Sequence, residues 1–319
     1  MTWFSVGLPL ILQLIVPVAL LAWLARSRHA DRGRRRAVTT LCAAYVVAIA
    51  LAGLWLVLPW WTPMVYLGVF AWLVVGHRIG RVPSPPAHPH GHRLVTAAIG
   101  GLAVVLIGVI GLALIARRPP APPVDLTFPL RGGIYLVVNG GGHALVNAHV
   151  GTLQGERFAP FCGQSYGVDL VRVDRLGLRV RGLLPADPSR YAIWGDAVLS
   201  PCGGRIVLAE DGADDMPPPQ VDRTHMAGNH VIVECDGVWV VLGHLRRGSV
   251  AVRAGQVVAA GQGVGVVGNS GNTGEPHLHV HAQRPGAAAA PLGGEPLPIR
   301  LDGRYLVRND RIGTFAARR

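Results

Sequence analysis

The chain contains no lysine, so its positive charge is carried entirely by arginine, and basic residues outnumber acidic ones 30 to 18. Charge of either sign is scarce: 15% of the 319 residues are charged and 50% are apolar, too oily a balance for an ordinary soluble domain. There are four cysteines, Cys42, Cys162, Cys202 and Cys235, with no C-x-x-C spacing, which excludes a zinc site built on paired cysteines. The last three allow at most one disulfide, and Cys162 with Cys202 is a candidate pair. No H-E-x-x-H is present, so a helix-borne zinc site is not indicated. A literal G-x-G-x-x-G spans 263–268, but "NSGNTGEP" follows it where a dinucleotide site needs a helix. The N-terminal apolar run lacks the basic start and small-residue cleavage site of a signal peptide.

The apolar residues concentrate before Arg117. Trp3 to Leu24, Ala37 to Leu58, Met64 to Val75 and Leu94 to Ala116 read as four spans, the third short. Arginines crowd the loop "RSRHADRGRRR" after the first span and recur at Arg78, Arg81 and Arg93 after the third. The turn "PWWTP" carries no charge. Basic loops stay on the cytoplasmic side, so both termini are expected outside. The same distribution explains the net charge of +12 by membrane topology, and no nucleic-acid partner is expected. The histidines of "AHPHGH" (87–92) lie in a Pro-rich loop with nothing rigid to hold a metal, and read as solvated. The spans hold almost no polar side chains suited to transport or relay, Gln13 being a minor exception.

After a proline-rich linker the texture changes. Short Val-, Ile- and Leu-rich runs alternate with Gly, Asn and Asp turns, the punctuation of an antiparallel β domain, and helical periodicity is hard to find after residue 120. "ECDGVWVV" places Asp-Gly between two apolar runs, a hairpin signal. The expected division is a four-helix transmembrane region at 1–118, a linker at 119–127 and an exported domain at 128–319. In "GNTGEPHLHVHA", His277, His279 and His281 occupy every second position. On a strand that pattern puts three imidazoles on one face, about 7 Å apart. Such a row supplies metal-ligating and proton-transferring groups if further ligands arrive from elsewhere. His244 in "VVLGHL" and Asp169 in "SYGVDLV" are the candidates for a helper and a carboxylate.

Residues 228–282 resemble the catalytic core of lysostaphin/LytM-type zinc metalloendopeptidases. "GHL" is similar to that family's A-H-L element, "VRAGQVVAAGQ" to its turn-rich stretch, and "GNSGNTGEPHLH" to its H-x-H motif. The resemblance implies a mainly-β fold with a lysostaphin-like twisted antiparallel sheet of the duplicated-hybrid or barrel-sandwich type. It implies a zinc ion held by Asp169 and His279, with His277 and His244 as catalytic helpers. Where the family has an imidazole four residues before the aspartate, this chain has Ser165. A subgroup with Q-x-Y-A-x-D at this strand and an upstream N-x-H is similar to "QSYGVD" and "NAH", which makes His149 the candidate third ligand and His143 the next. His281 is expected behind the ligands or at the rim, because a fourth ligand would close the site to water. The implied function is a multi-pass protein of the bacterial plasma membrane, its catalytic domain on the outer or periplasmic side, cutting peptide bonds in peptidoglycan cross-links. The alternative is a non-catalytic LytM-like module that binds cell wall or regulates a partner hydrolase. The implied partners are peptidoglycan peptides and the lipid bilayer, with cell-wall or division proteins as further candidates.

Overall fold

The computed structural model of the chain describes residues 6–27, 30–79 and 91–313. Two compact units result, Met1–Leu114 and Ile115–Arg319. In the first, Leu8–Arg26, Arg32–Ala52 and Arg93–Ile115 are helices long and apolar enough to cross a membrane. Thr62–Ile79 is also helical, but its apolar stretch, Thr62–Gly76, is shorter than the roughly 20 residues a span needs. Three of the four expected spans therefore meet the length requirement. Asp31 caps the helix Arg32–Ala52 by accepting from the Arg34 amide. Gln13, buried in the first helical segment, donates to Leu54 O at 3.0 Å, and Tyr66 donates to Gln13 O at 2.7 Å. Leu94, Val104 and Val105 are exposed, an apolar surface of the kind a helix presents to lipid. The loop at 80–90, with His88 and His90, lies outside the described residues.

The second unit is built of strands: β1 (Val124–Leu126), β2 (Ile134–Asn139), β3 (Val168–Val173), β4 (Ala197–Leu199), β5 (Gly204–Glu210), β6 (Asn229–Cys235) and β7 (Val238–Leu245). The rest are β8 (Val257–Val258), β9 (Gly263–Val266), β10 (Leu278–Gln283), β11 (Pro296–Leu297), β12 (Ile299–Leu301) and β13 (Arg311–Gly313). The main sheet runs β13-β2-β3-β10-β7-β6-β5-β8, with β11 beside β10, and its pairs are antiparallel. β4 pairs with β9, so the glycines of "GVGVVG" serve a strand. β1 pairs in parallel with β12, and Leu126 enters the core. The C-terminal end of the expected linker is thus a strand, because Val124 and Leu126 have apolar surface to bury there.

Alternation decides what each face does. Leu278, Val280 and Ala282 of β10 join Val168 and Leu170 of β3 and Val240 and Leu242 of β7 in the core. The intervening residues His279, His281 and Gln283 take the opposite face of β10. The β6–β7 hairpin turns through Asp236 (φ 50°) and Gly237 (φ 79°), both left-handed as a two-residue hairpin turn requires. Two 3₁₀ helices, Ala148–Leu153 and Glu156–Tyr166, lead into β3, in a stretch where helical periodicity is hard to find in the sequence. No amphipathic repeat announces them; the first is set by its cap, with Asn147 accepting from the His149 amide.

The disulfide joins Cys202 to Cys235, not to Cys162. Cys202 immediately precedes β5 and Cys235 ends β6, so pairing of the two strands brings the cysteines together. Cys162 is free and faces the carbonyls of Gly293 and Gly294. The bridge closes a separation of 33 residues. Replacing both partners with alanine is expected to lower the unit's stability by about 2–4 kcal/mol, read as an earlier midpoint in denaturant under oxidising conditions. An unchanged midpoint contradicts a stabilising role for the bridge.

Candidate metal centre

Strand register aligns the centre. Asn139 of β2 lies opposite Asp169 of β3, Asp169 opposite His279 of β10, and His279 opposite Gly243 of β7. Four adjacent strands thus contribute one row across the sheet. Gly243 brings no side chain to that row. Gly167 is needed for another reason: a Cβ there would lie 2.7 Å from Cε1 of His279. Asp169 is 4% exposed. Its Oδ1 meets His279 Nδ1 at 2.8 Å and His277 Nε2 at 3.5 Å. Its Oδ2 meets His149 Nε2 at 2.9 Å and accepts from Asn139 Nδ2 at 2.8 Å. Burial alone would raise the carboxyl pKa; the facing His149 and His277 outweigh it and hold Asp169 well below its usual range.

His149 enters from the first 3₁₀ helix, not from the sheet. Besides capping that helix, Asn147 donates to Gly141 O and Gly167 O, pinning the turn to the start of β3. Ser165, in the position where an imidazole was expected, is fully buried and hydrogen-bonds the Thr152 hydroxyl at 2.7 Å. Thr152 in turn donates to His149 O at 2.7 Å. One ligand atom each from His149, Asp169 and His279 lies within 4.8 Å of the other two. Two imidazole nitrogens and one carboxylate oxygen, with a further position left for solvent, are a donor set that suits a catalytic zinc. His143 is not in that group; its Nδ1 accepts from the Leu145 amide.

His244 and His277 stand beside the trio. Their ring centroids are 4.7 Å apart, and His244 lies 5.9 Å from His279. His244 closes β7 in a left-handed conformation (φ 61°), uncommon outside glycine and a form of strain that clusters at functional sites. Its amide donates to Ala227 O, and its Nδ1 meets Ser270 O at 2.8 Å, which assigns the proton to Nδ1 and leaves Nε2 free. His277 Nδ1 meets Glu275 O at 2.9 Å. Burial lowers the pKa of His244 well below its ordinary value, and neighbouring imidazoles add to that. Burial opposes protonation of His277 too, but Asp169 prevails and raises it. His281 lies behind His279, 2% exposed, its Nδ1 2.8 Å from His279 Nε2.

The structure brings His149, Asp169, His244, His277 and His279 together, places His281 behind His279, and leaves His143 outside the group, all of them positions singled out in the sequence. The supporting residues were not legible there. Asn139 sits in "VVNGGG", which reads as a strand running into a turn. Arg308, donating to Val138 O and Leu145 O and reaching Asn139 Oδ1, comes from far along the chain. Thr152 and Ser165 carry no signal beyond being small and polar.

The buried imidazoles make the metal-free protein acid-sensitive. His230, His244, His279 and His281 all have pKa values lowered by burial, so the folded state binds fewer protons than the unfolded chain below about 6.5. Each contributes instability as pH falls through that value. His277 has the opposite sign, its contribution complete below the unfolded value and lost as pH rises past its own. The depressed Asp169 adds stability above its ordinary 3.8, lost only in stronger acid. Four against one predicts that the unfolding midpoint of the metal-free chain falls between pH 7 and about pH 5. A midpoint that is level or rising over that range contradicts it.

Residues 191–291 match the family model described as Peptidase family M23. That segment contains His244, His277 and His279; His149 and Asp169 lie upstream of it. Among solved structures, the chain is similar to the catalytic domain of lysostaphin from Staphylococcus simulans, at 21% identity over 40% of this chain and 71% of that one, TM-score 0.26. It is similar to a catalytic-domain mutant of the prophage-encoded M23 protein EnpA from Enterococcus faecalis, at 21% identity over 38% of this chain and 68% of that one, TM-score 0.26. A zinc-containing peptidase from Vibrio cholerae is 22% identical over 36% of this chain, which spans 26% of that protein, TM-score 0.24. No curated protein sequence matches the chain. The match to family M23 thus covers the segment of the chain that carries the three downstream histidines.

Proposed function

We propose that the chain is a membrane-anchored zinc metalloendopeptidase that hydrolyses peptide bonds in peptidoglycan cross-links. The observation that carries this is the meeting of His149, Asp169 and His279 ligand atoms within 4.8 Å, beside two further imidazoles. Zinc held there supplies Lewis-acid polarisation of a water and of the scissile carbonyl. His149, Asp169 and His279 would hold it. His244, with Nδ1–H committed to Ser270 O, offers Nε2 to take a proton from the attacking water and return it to the leaving amine. His277, anchored through Nδ1 to Glu275 O, turns Nε2 toward the same space and stabilises the developing oxyanion. A small cavity of about 10 Å³, room for about one water, lies beside His244 and His279 and is walled by Phe161, Met226, Ala227 and Leu292.

Anchoring follows from the apolar helices. With Thr62–Ile79 as a fourth crossing, the arginine-rich loops stay cytoplasmic and the peptidase unit faces outward. Cross-link peptides close to the membrane are then the accessible substrate.

The test is zinc stoichiometry and activity of the full chain in detergent. One equivalent of zinc is expected at neutral pH, falling below half in His149→Ala. Release of new amino termini from purified peptidoglycan is expected to drop about 10²- to 10⁴-fold in His244→Ala with zinc retained. An unmodified chain that holds less than half an equivalent after zinc addition favours the non-catalytic module instead.

A further inference from the structure

Behind His279 runs a chain of buried hydrogen bonds whose polarity is set at its far end. Gln283 Nε2 lies 2.7 Å from Pro291 O. A carbonyl oxygen only accepts, so the amide nitrogen must face it and Oε1 must face the other way, toward His281. His281 Nε2 is 3.3 Å from that Oε1, which again only accepts, so Nε2 of His281 carries a proton. The ring is 2% exposed, and as a neutral imidazole it carries that one proton only. Nδ1 of His281 is then a bare lone pair, 2.8 Å from His279 Nε2. His279 must donate from Nε2, and its own Nδ1 is left unprotonated. That nitrogen faces Asp169 Oδ1 at 2.8 Å. Two acceptors this close, with no proton to share, repel each other unless a cation lies between them.

Resting on the zinc reading above, we propose that His281 and Gln283 are positioning residues that lock His279 into the tautomer whose Nδ1 ligates the metal. Imidazole ligands commonly donate their second nitrogen to a carboxylate or a backbone carbonyl. Here the acceptor is another neutral imidazole, and the carbonyl is reached only two side chains later. The backbone is shaped for the last of them. A Cβ on Gly163 or on Gly294 would collide with the Gln283 amide, so two glycines clear the space it fills. Gln283 itself is fully buried. The alternation of β10 explains the arrangement: His279, His281 and Gln283 are successive residues of one strand face, and the relay runs along it.

The experiment uses the full chain in detergent, loaded with zinc and carrying nitrogen-15-labelled histidine. Long-range proton–nitrogen correlation, assigned with the His281→Gln variant, reads which nitrogen of His281 holds the proton. A protonated Nε2 with a bare Nδ1 is expected; a proton on Nδ1 overturns the relay. Zinc affinity, measured by competition with a chelator, is expected to fall about 10- to 100-fold in His281→Leu, and by less in His281→Gln, which retains an acceptor for His279. Unchanged affinity in a folded His281→Leu also overturns the relay. Should that variant fail to fold, the spectrum of the unmodified chain decides alone. Failure of the unmodified chain to bind zinc strikes the zinc reading, whereas a zinc-loaded chain with His281 protonated on Nδ1 strikes the relay only.

Discussion

A carboxylate buried in the middle of a sheet is costly unless opposite charge and hydrogen bonds surround it. Asp169 is such a group, and the architecture around it reads as a set of answers to that cost. Asn139 donates to one oxygen from the neighbouring strand, and Arg308 steadies Asn139 from the far end of the chain. Three imidazoles face the two oxygens, His149 from the 3₁₀ turn and His277 and His279 from one segment around the start of β10. A divalent cation shared by the carboxylate and two of those imidazoles compensates the charge fully.

What the sequence made legible follows from period two. The H-L-H-V-H run could only serve one face as a strand, and β10 is that strand, with its apolar residues in the core. Asp-Gly after "EC" gave the β6–β7 hairpin for the same local reason, since both turn residues need left-handed backbone. The third ligand was legible only through likeness, because His149 and Asp169 are joined by 3₁₀ turns whose path no periodicity encodes. The disulfide was illegible as well: Cys202 and Cys235 meet because β5 and β6 pair, and the pairing of strands is a tertiary fact. In the helical unit, composition found the apolar segments, yet could not decide whether Thr62–Ile79 is long enough to count with the other three.

The serine in place of the expected imidazole leaves His149, from a different backbone position, to complete the trio with Asp169 and His279. A metal responds to where a nitrogen atom sits, and is indifferent to which backbone position carries it. Moving that nitrogen from the strand entering Asp169 to a 3₁₀ turn requires the turn to be rigid. Ser165 contributes to that rigidity, because it bonds Thr152 and Thr152 bonds the carbonyl of His149 itself. The residue at the vacated position thus braces its own replacement, and Asn147 fastens the turn to Gly167 at the mouth of β3.

A consequence concerns how metal binding and folding are coupled. Asp169 and His279 face each other across a ladder of backbone hydrogen bonds, so their geometry is as firm as the sheet. His149 depends on a short helix held by side chains, and is the most exposed of the three ligands. Short 3₁₀ segments make few internal bonds and open at lower free energy than sheet interiors. A cation held there would join a half-site fixed by the sheet ladder to one fixed by side-chain bonds, so its binding would favour the ordered turn.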